Sequence, residues 1–300
     1  MLIRSFHEPT TGTWTHLLAD AATGKAAIID PVWEFDPVSG MTGTAFIDGV
    51  LEEAARQGWR IEWVLETHAH ADHLTAADQI RQRTGARIAC GQGILQVRDN
   101  FARVFGTGEA ENTEAPFDRL LREGDVIKLG EVQIRVMETP GHTSDSVTYL
   151  AGDAAFVGDT LFAPAAGTAR CDFPGGSADA LFDSVARIHA LPDTTRIFLC
   201  HDYPADGEAP VRDFAVTRSR EENIHINSGT DRADFIEMRR SRDATLGLPR
   251  LILPSLQVNI RAGAAPAPDA NGVPYLRTPF NRSIAELIGN GSPRKAGEKA

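Results

Sequence analysis

Cysteine is scarce in this sequence. Among 300 residues there are three cysteines, Cys90, Cys171 and Cys200, and no two of them stand in a C-x-x-C spacing. A small, odd number of cysteines without that spacing disfavours both a disulfide framework and a zinc ribbon. The simplest context for such a chain is a reducing compartment.

Long apolar runs and an excess of basic residues are also missing. The first nine residues contain no stretch typical of a signal peptide, and no later segment approaches the length of a membrane span, so we expect a cytoplasmic protein. Acidic residues number 41 and basic residues 30, which gives a formal net charge of -11 and a pI near 5.3. This balance disfavours nucleic-acid binding, because contacts to phosphates need a basic stripe.

The overall composition is that of a globular enzyme. Hydrophobic residues make up 42% of the chain and charged residues 24%, which are ordinary values for soluble domains. The length would suit one large domain or two small ones, but we find neither a repeat nor an interdomain linker. We therefore predict a single domain over residues 1–288 and a disordered polar tail over residues 289–300.

Strand-like and helix-like segments alternate along the chain. An opening hairpin is predicted at residues 13–30, and a second hairpin is predicted around Gly130. Helical periodicity is found at residues 44–57, 74–83, 91–106, 178–191, 214–223 and 231–242. Residues 251–260 are apolar and predicted to form a strand, His189 is predicted to lie on the surface, and the arginines at 239, 240 and 242 are predicted to lie on a solvated helix face. The alternation predicts a layered α/β fold.

The strongest local signal is the segment Thr67-His68-Ala69-His70-Ala71-Asp72-His73, which places three imidazoles and one carboxylate within seven residues. It follows an apolar run at residues 61–65, so the histidines begin where a buried strand should end. If strand geometry persists, the period of two turns His68 and His70 to the same side, where one cation could contact both. The pattern predicts a metal site.

Later strand-like runs end in further candidate ligands. One run leads to His142, a second to Asp159 and a third to His201. Active sites of layered α/β folds gather at strand ends, because loops there carry the polar groups. We therefore expect these side chains to meet the His68 segment.

The ligand types suit Zn(II), Fe(II) or Mn(II), since they are histidine nitrogens and carboxylate oxygens without thiolates. Two arrangements remain open. If all the candidates bind metal, the site could hold two zinc ions around a bridging hydroxide for hydrolysis. If only two histidines and one carboxylate bind, the site is a facial triad of the kind found in non-haem iron oxygenases.

These residues carry a family resemblance that covers nearly the whole chain. The motif His68-x-His70-x-Asp72-His73, with Gly141-His142, Gly158-Asp159 and His201, resembles the metallo-β-lactamase superfamily, whose fold is an αββα sandwich. Residues 167–176 and the segment His201-Asp202-Tyr203 are similar to the persulfide dioxygenases, also called sulfur dioxygenases. Residues 253–263 are similar to a bacterial branch of that family, and glyoxalase II is the nearest hydrolytic relative.

The resemblance implies a function and a set of roles. It implies a sulfide-detoxifying enzyme that oxidises glutathione persulfide with dioxygen to sulfite and glutathione, at one Fe(II) held by the catalytic residues His68, His142 and Asp159. The remaining candidates serve as the second shell in the dioxygenases and bind a second metal in the hydrolytic relatives; they are His70, Asp72, His73 and His201. The alternative is therefore a di-zinc hydroxyacylglutathione hydrolase.

Glutathione is implied by both activities. The resemblance places a cation at Arg170 and a tyrosine at Tyr203 beside the substrate, and Arg261 is a second cation that could pair with a glutathione carboxylate. Asp172 is a weaker candidate for substrate binding, because its simpler role is to orient Arg170. Thr168 stands where animal members of the family tend to carry cysteine. The resemblance further suggests a homodimer and leaves open whether a rhodanese is a partner.

Overall fold

The computed structural model describes residues 1–107, 116–204 and 207–288. The predicted tail at 289–300 lies outside these residues. Within them, no helix is both long and apolar enough to cross a membrane.

The described residues form fifteen strands and eight helices. The strands are β1 (Leu2–Glu8), β2 (Thr13–Ala19), β3 (Lys25–Ile29), β4 (Val32–Phe35), β5 (Thr42–Gly43), β6 (Arg60–Leu65), β7 (Leu74–Thr75), β8 (Arg87–Gly91), β9 (Arg119–Leu121), β10 (Val126–Leu129), β11 (Val132–Glu138), β12 (Val147–Ala151), β13 (Ala154–Phe156), β14 (Arg196–Phe198) and β15 (Asp213–Ala215). The helices are α1 (Ala45–Arg56), α2 (Ala77–Thr84), α3 (Ile94–Phe105), α4 (Ala178–His189), α5 (Val216–Glu222), α6 (Arg232–Asp243), α7 (Ile252–Asn259) and α8 (Ile284–Leu287).

Two six-stranded sheets form the centre of the fold. The first has the order β1-β2-β3-β6-β8-β9 and the second the order β10-β11-β12-β13-β14-β15. Strand β3 shows why they stack: Ala26 and Ile28 join the cluster that contains α1, α2, α3 and α7, while Ala27 and Ile29 join the cluster between the sheets. Side chains on a strand alternate between its faces, so a strand buried on both faces needs apolar residues at every position.

Helices cover the outer face of each sheet. Residues from α4, α5 and α6 pack on the second sheet around Leu181, Val185 and Phe235. The order of layers is therefore helix, sheet, sheet, helix, which confirms the predicted αββα sandwich.

Several predicted elements differ from the structure. Residues 251–260 form helix α7 instead of a strand, because Ile252, Leu256 and Ile260 repeat every four residues and pack together on the first core cluster. The predicted helix at 74–83 begins only at Ala77, after the short strand β7, and the predicted helix at 214–223 is preceded by β15.

Two polar residues that were predicted to lie on the surface are buried. His189 is 9% exposed, and its Nε2 lies 3.0 Å from the hydroxyl of Ser219. Arg239 is 1% exposed and pairs with Asp243 one helical turn later. Helix α6 packs against α4, and Arg239 donates to the carbonyl oxygen of Thr168. The charged residues in the sequence of α6 therefore do not all lie on a solvent-exposed face.

Candidate metal centre and its cavity

Four strand ends meet at one edge of the sandwich, as the sequence predicts. His68 and His70 follow β6, His142 follows β11, Asp159 follows β13 and His201 follows β14. All five side chains are buried. Loops at the ends of two stacked sheets thereby bring together ligands that lie up to 133 residues apart in the sequence.

The first group of potential ligands is formed by His68, His142 and Asp159, whose ligand atoms all lie within 4.8 Å of one another. Asp159 Oδ2 lies 3.7 Å from His68 Nε2 and 3.8 Å from His142 Nε2. His142 Nδ1 lies 2.8 Å from the carbonyl oxygen of Arg170, to which it donates in the tautomer that leaves Nε2 directed at Asp159.

The second group contains His70, His73, Cys200 and His201, again with ligand atoms within 4.8 Å of one another. Asp72 lies beside this group, with Oδ2 3.2 Å from His201 Nε2. Cys200 directly precedes His201 and was not among the ligands predicted from the sequence.

His70 is held from its far side by carboxylates. Its Nε2 lies 3.0 Å from Oδ1 of the buried Asp30, which also accepts from the backbone N–H and hydroxyl of Thr67. Glu66 Oε2 lies 3.5 Å from the same ring nitrogen. Metal-binding histidines commonly donate their other N–H to a carboxylate, so this arrangement suits a ring that presents Nδ1 to a cation. Sequence reasoning missed Asp30 and Glu66, which carry no motif of their own.

The protonation states of His68, His73 and Asp72 suit metal binding. Burial and the neighbouring imidazoles hold the pKa of His68 well below its usual range, and burial with His70 lowers the pKa of His73 to about 3. Burial raises the pKa of Asp72, but His201 and His73 outweigh burial and lower it to about 2. The rings of His68 and His73 are therefore neutral and the Asp72 carboxylate is ionised near neutral pH, the forms that bind a cation. In contrast, nearby carboxylates outweigh burial and raise the pKa of His70 and His201 well above the usual range, so these two rings would release a proton when a cation binds.

The site also contains buried polar atoms that have no hydrogen-bond partner in the part of the chain that the structure describes. They are Nε2 of His68, Nδ1 of His70, Nε2 of His73, Nε2 of His201 and Oδ1 of Asp159. Leaving a buried polar atom unsatisfied costs about 1–3 kcal/mol, so a cluster of five needs an explanation. A bound divalent cation accounts for it, and the residues present fit a metal ion.

A cavity of about 450 Å³ opens onto the first group. Its wall includes His142 and Asp159 at the metal end, with Asp72 and Tyr203 beside them. The remaining wall is formed by Thr10, Thr11, Ala71, Phe162, Ala166, Thr168, Ala169, Arg170, Phe173, Arg239, Arg242, Leu246, Pro249, Arg250 and Leu251. The volume suits a small organic substrate rather than a macromolecule.

The cavity is acidic at the metal and basic elsewhere. Among the described residues that line it, the carboxylates are Asp72 and Asp159, whereas four arginines line the rest of the wall. Arg242 and Arg250 are exposed, as is Leu246 in the same wall. Arg250 was not predicted as a site residue from the sequence, and Arg242 was predicted to lie on a solvated face. The sequence feature that could have indicated both is a local group of arginines in an acidic protein.

The predicted substrate residues divide into two sets. Tyr203 and Arg170 line the cavity. Arg261 instead lines a separate cavity with Gln257 and Arg277, so the structure does not bring it to the metal. Asp172 is absent from the described cavity wall and binds Arg170, which agrees with the orienting role and not with substrate contact.

Tyr203 stacks on a candidate ligand. Its ring is parallel to that of His201, with centroids 5.9 Å apart and an interplanar angle of 8°. Its hydroxyl oxygen lies 3.4 Å from His201 Nδ1 and 3.5 Å from Asp72 Oδ2. Gly12, at φ +69°, allows this position, because a Cβ there would lie 2.4 Å from the tyrosine ring. The phenol thus lies between the metal centre and the open cavity.

Arg170 is already well anchored. Its Nε and Nη2 donate to the two carboxylate oxygens of Asp172 at 2.6 and 2.7 Å, and Nη1 donates to the carbonyl oxygen of Gly247 at 2.6 Å. A guanidinium has five N–H donors, so two remain for a ligand in the cavity.

We expect Arg170→Gln to lower the free energy of unfolding by about 1.5–3 kcal/mol, because it removes charge-assisted bonds that hold the site loop. Denaturant unfolding of the two proteins measures this, and Asp172→Asn should give a change in the same direction. An unchanged stability with a raised KM would show that Arg170 serves the substrate alone.

Comparison with known proteins agrees with this architecture. A family model described as the metallo-beta-lactamase superfamily matches residues 11–201. The chain is 46% identical over 292 residues to a probable metallo-hydrolase of Burkholderia pseudomallei, covering 94% of this chain and 99% of that protein. It is 39% identical over 282 residues to glyoxylase B2 of Dictyostelium discoideum, covering 93% and 97%.

A longer relative and a solved structure add to the comparison. The chain is 45% identical to a beta-lactamase hydrolase-like protein of Agrobacterium fabrum, of whose length it spans 64%. The crystal structure of ETHE1 from Myxococcus xanthus superposes with a TM-score of 0.71 at 29% identity, covering 88% of this chain and 100% of that one. With its αββα sandwich and its cluster of histidines and aspartates at the strand ends, the chain belongs to the metallo-beta-lactamase superfamily.

Proposed function

We propose that this protein is a glutathione-dependent persulfide dioxygenase, which oxidises glutathione persulfide with dioxygen to sulfite and glutathione at one Fe(II). The observation that carries the proposal is the separate group of His68, His142 and Asp159, two histidines and one carboxylate, of which His142 and Asp159 line the cavity. This is the donor set of non-haem iron oxygenases. The likeness to the crystal structure of ETHE1 from Myxococcus xanthus, at 29% identity over 88% of this chain, supports it.

The metal ligands and the cavity wall would have different roles in the reaction. Fe(II) held by the three ligands would supply the redox chemistry by which dioxygen oxidises the terminal sulfur. The cavity wall would bind the rest of the substrate: Phe162, Phe173 and Leu246 exclude water, and the arginines bind its carboxylates. Binding of the substrate body would hold the sulfur at the metal end, so proximity would contribute much of the rate.

The proposed reaction consumes one persulfide, one dioxygen and one water, and releases glutathione, sulfite and two protons. An oxygen electrode combined with a sulfite assay tests it on the iron-loaded protein. We expect oxygen uptake and sulfite formation in equal amounts with glutathione persulfide. Absence of both, from protein that retains iron, would refute the proposal.

We propose that Arg242 and Arg250 bind the carboxylates of glutathione, because they line the cavity away from the acidic metal centre. Arg242→Gln and Arg250→Gln should each raise KM about 10-fold or more with iron content unchanged, since each removes a charge-assisted contact of about 1.5–3 kcal/mol. Steady-state kinetics on iron-replete protein measures the effect.

A matched control is available on the same helix. Arg240 is exposed and lines a different cavity, so Arg240→Gln should leave KM unchanged. KM for a persulfide without carboxylates should change little in either Arg242→Gln or Arg250→Gln. If KM for glutathione persulfide is the same in all three variants, these arginines do not bind the substrate.

The second candidate is a di-zinc hydrolase of glutathione thioesters. The group of His70, His73, Cys200 and His201 favours it, because three of its ring nitrogens lack partners and could hold a second ion. The names of the Burkholderia and Dictyostelium relatives also agree with it. Hydrolysis of S-lactoylglutathione by zinc-loaded protein, without oxygen uptake by iron-loaded protein, would select this candidate.

A further inference from the structure

A buried ion pair, formed by Arg239 and Asp243, lies at the cavity wall, which Arg239 helps to line. Arg239 is 1% exposed and is the largest fully buried side chain among the described residues, and Asp243, 4% exposed, accepts from its Nη2. A buried ion pair costs desolvation free energy that its mutual attraction often fails to recover. Its remaining hydrogen bonds therefore indicate what the pair does.

Those bonds hold one segment, residues 167–172, from two sides. Arg239 Nη1 donates to the carbonyl oxygen of Thr168 at 3.0 Å. Asp243 Oδ2 accepts from the backbone N–H of Cys171 at 2.8 Å. The pair on α6 thus fixes the backbone immediately before and after residues 169 and 170.

His225 makes a third contact to the same segment. Its Nδ1 accepts from the backbone N–H of Thr168 at 2.9 Å and lies 3.4 Å from Arg239 Nη1. Burial and the charge of Arg239 lower the pKa of His225 to about 4, so the ring is neutral and can accept. Gly167, at φ +85°, lets the ring approach, because a Cβ there would lie 2.0 Å from Nδ1.

The fixed segment contacts a candidate metal ligand. Between the two held positions, the carbonyl oxygen of Arg170 lies 2.8 Å from His142 Nδ1. That bond sets which ring nitrogen carries the proton and leaves Nε2 directed at Asp159, 3.8 Å away. A displacement of the segment would therefore move or release the His142 ring.

We propose that the Arg239–Asp243 pair positions His142, and through it sets the metal affinity and coordination geometry of the first ligand group. Arg239 acts through the backbone of residues 168–171, and is a positioning residue. The inference rests on the ligand set of the proposed function, but not on the dioxygenase reaction.

The test uses Co(II), whose visible spectrum reports coordination geometry, on the full-length metal-free protein. Arg239→Met removes the donors with a side chain of similar reach, and Arg239→Lys restores a charge and one donor group. We expect Arg239→Met to weaken Co(II) binding about 10–100-fold and to change the spectrum, as losses behind a ligand typically do. Arg239→Lys should recover part of both.

Arg232 provides a matched control on the same helix. It pairs with Asp179 and Asp183 and lies over the ring of Phe182, all on α4, so Arg232→Met removes surface contacts to α4 and none of the bonds that hold the segment. We expect this variant to bind Co(II) with wild-type affinity and spectrum, whatever its melting temperature.

Wild-type affinity and spectrum in Arg239→Met, with a lowered melting temperature, would show that the pair only stabilises the fold. If Arg239→Met does not fold, Asp243→Asn answers the same question, because the amide has one acceptor oxygen in place of two and therefore loses either the bond from Arg239 or the bond from the backbone N–H of Cys171. An unchanged Co(II) spectrum and affinity there would also overturn the proposal. Co(II) binding can be measured without catalytic activity. The test of the Arg239–Asp243 pair therefore remains valid even if the protein is not a persulfide dioxygenase.

Discussion

Asp159→Asn is expected to abolish iron retention and, with it, oxygen uptake. Asp159 is the one anionic group of the first ligand set, and its Oδ2 lies within 3.8 Å of both His68 Nε2 and His142 Nε2. A neutral amide of the same shape removes the charge that offsets Fe(II) and offers a weaker donor. The loss of iron affinity should exceed roughly 100-fold, which is the upper limit typical of residues that contact a metal ligand but not the metal itself. Iron analysis after gel filtration measures it.

Two variants make the comparison specific. Asp72→Asn changes a second aspartate of the same cavity, which lies by His201 and outside the first group, and should leave one iron bound. His70→Ala should weaken iron binding by roughly 10–100-fold, because we assign His70 to the surroundings of the ligands. Equal loss of iron in His70→Ala and Asp159→Asn would make His70 a direct ligand and favour the di-metal site.

Gly141→Ala is expected to destabilise the fold by about 2–5 kcal/mol. Gly141 directly precedes His142 and has φ +139°, and a Cβ there would lie 2.4 Å from the backbone N and Cα of Leu181 in α4. The neighbour is backbone, so the clash cannot be relieved by a side-chain rotation. Overpacking costs about 1–3 kcal/mol and the unfavourable φ about 1–2 kcal/mol more. Denaturant unfolding and iron occupancy should both register the change.

Gly106→Ala measures the cost of a positive φ to the free energy of unfolding without the cost of a steric clash. Gly106 ends α3 at φ +61°, and a Cβ there would meet no atom of the described residues within 4 Å. The free energy of unfolding of this variant should fall only by the cost of the unfavourable φ, about 1–2 kcal/mol, and the variant should keep its iron. If the two alanine variants are equally stable, the close packing of the His142 loop on α4 contributes nothing.

The αββα fold and the convergence of the ligands were predictable because both depend on local patterns. The apolar run of β6 ends where the histidine motif begins, and β11, β13 and β14 each lead to one further ligand. Strand alternation and strand-end loops are properties of short segments, so they can be inferred without tertiary contacts.

The surroundings of the ligands were not predictable in the same way. Asp30 and Glu66 hold His70 from behind, yet Asp30 lies 40 residues before it and belongs to no motif. Arg239 resembles a solvated helix residue in sequence, because only the packing of α6 on the segment at 167–172 buries it. The strand predicted at 251–260 fails for a related reason: apolar content alone does not distinguish a buried helix from a strand.

The most direct test of the proposed function is an anaerobic titration of the metal-free protein with Fe(II), followed by assay of oxygen uptake with glutathione persulfide. We expect activity to rise in proportion to added iron and to reach its maximum at one iron per chain, with Zn(II) giving no oxygen uptake at any ratio. Activity that requires two metal ions per chain, or zinc-loaded protein that hydrolyses S-lactoylglutathione while the iron-loaded protein takes up no oxygen, would contradict the proposed function.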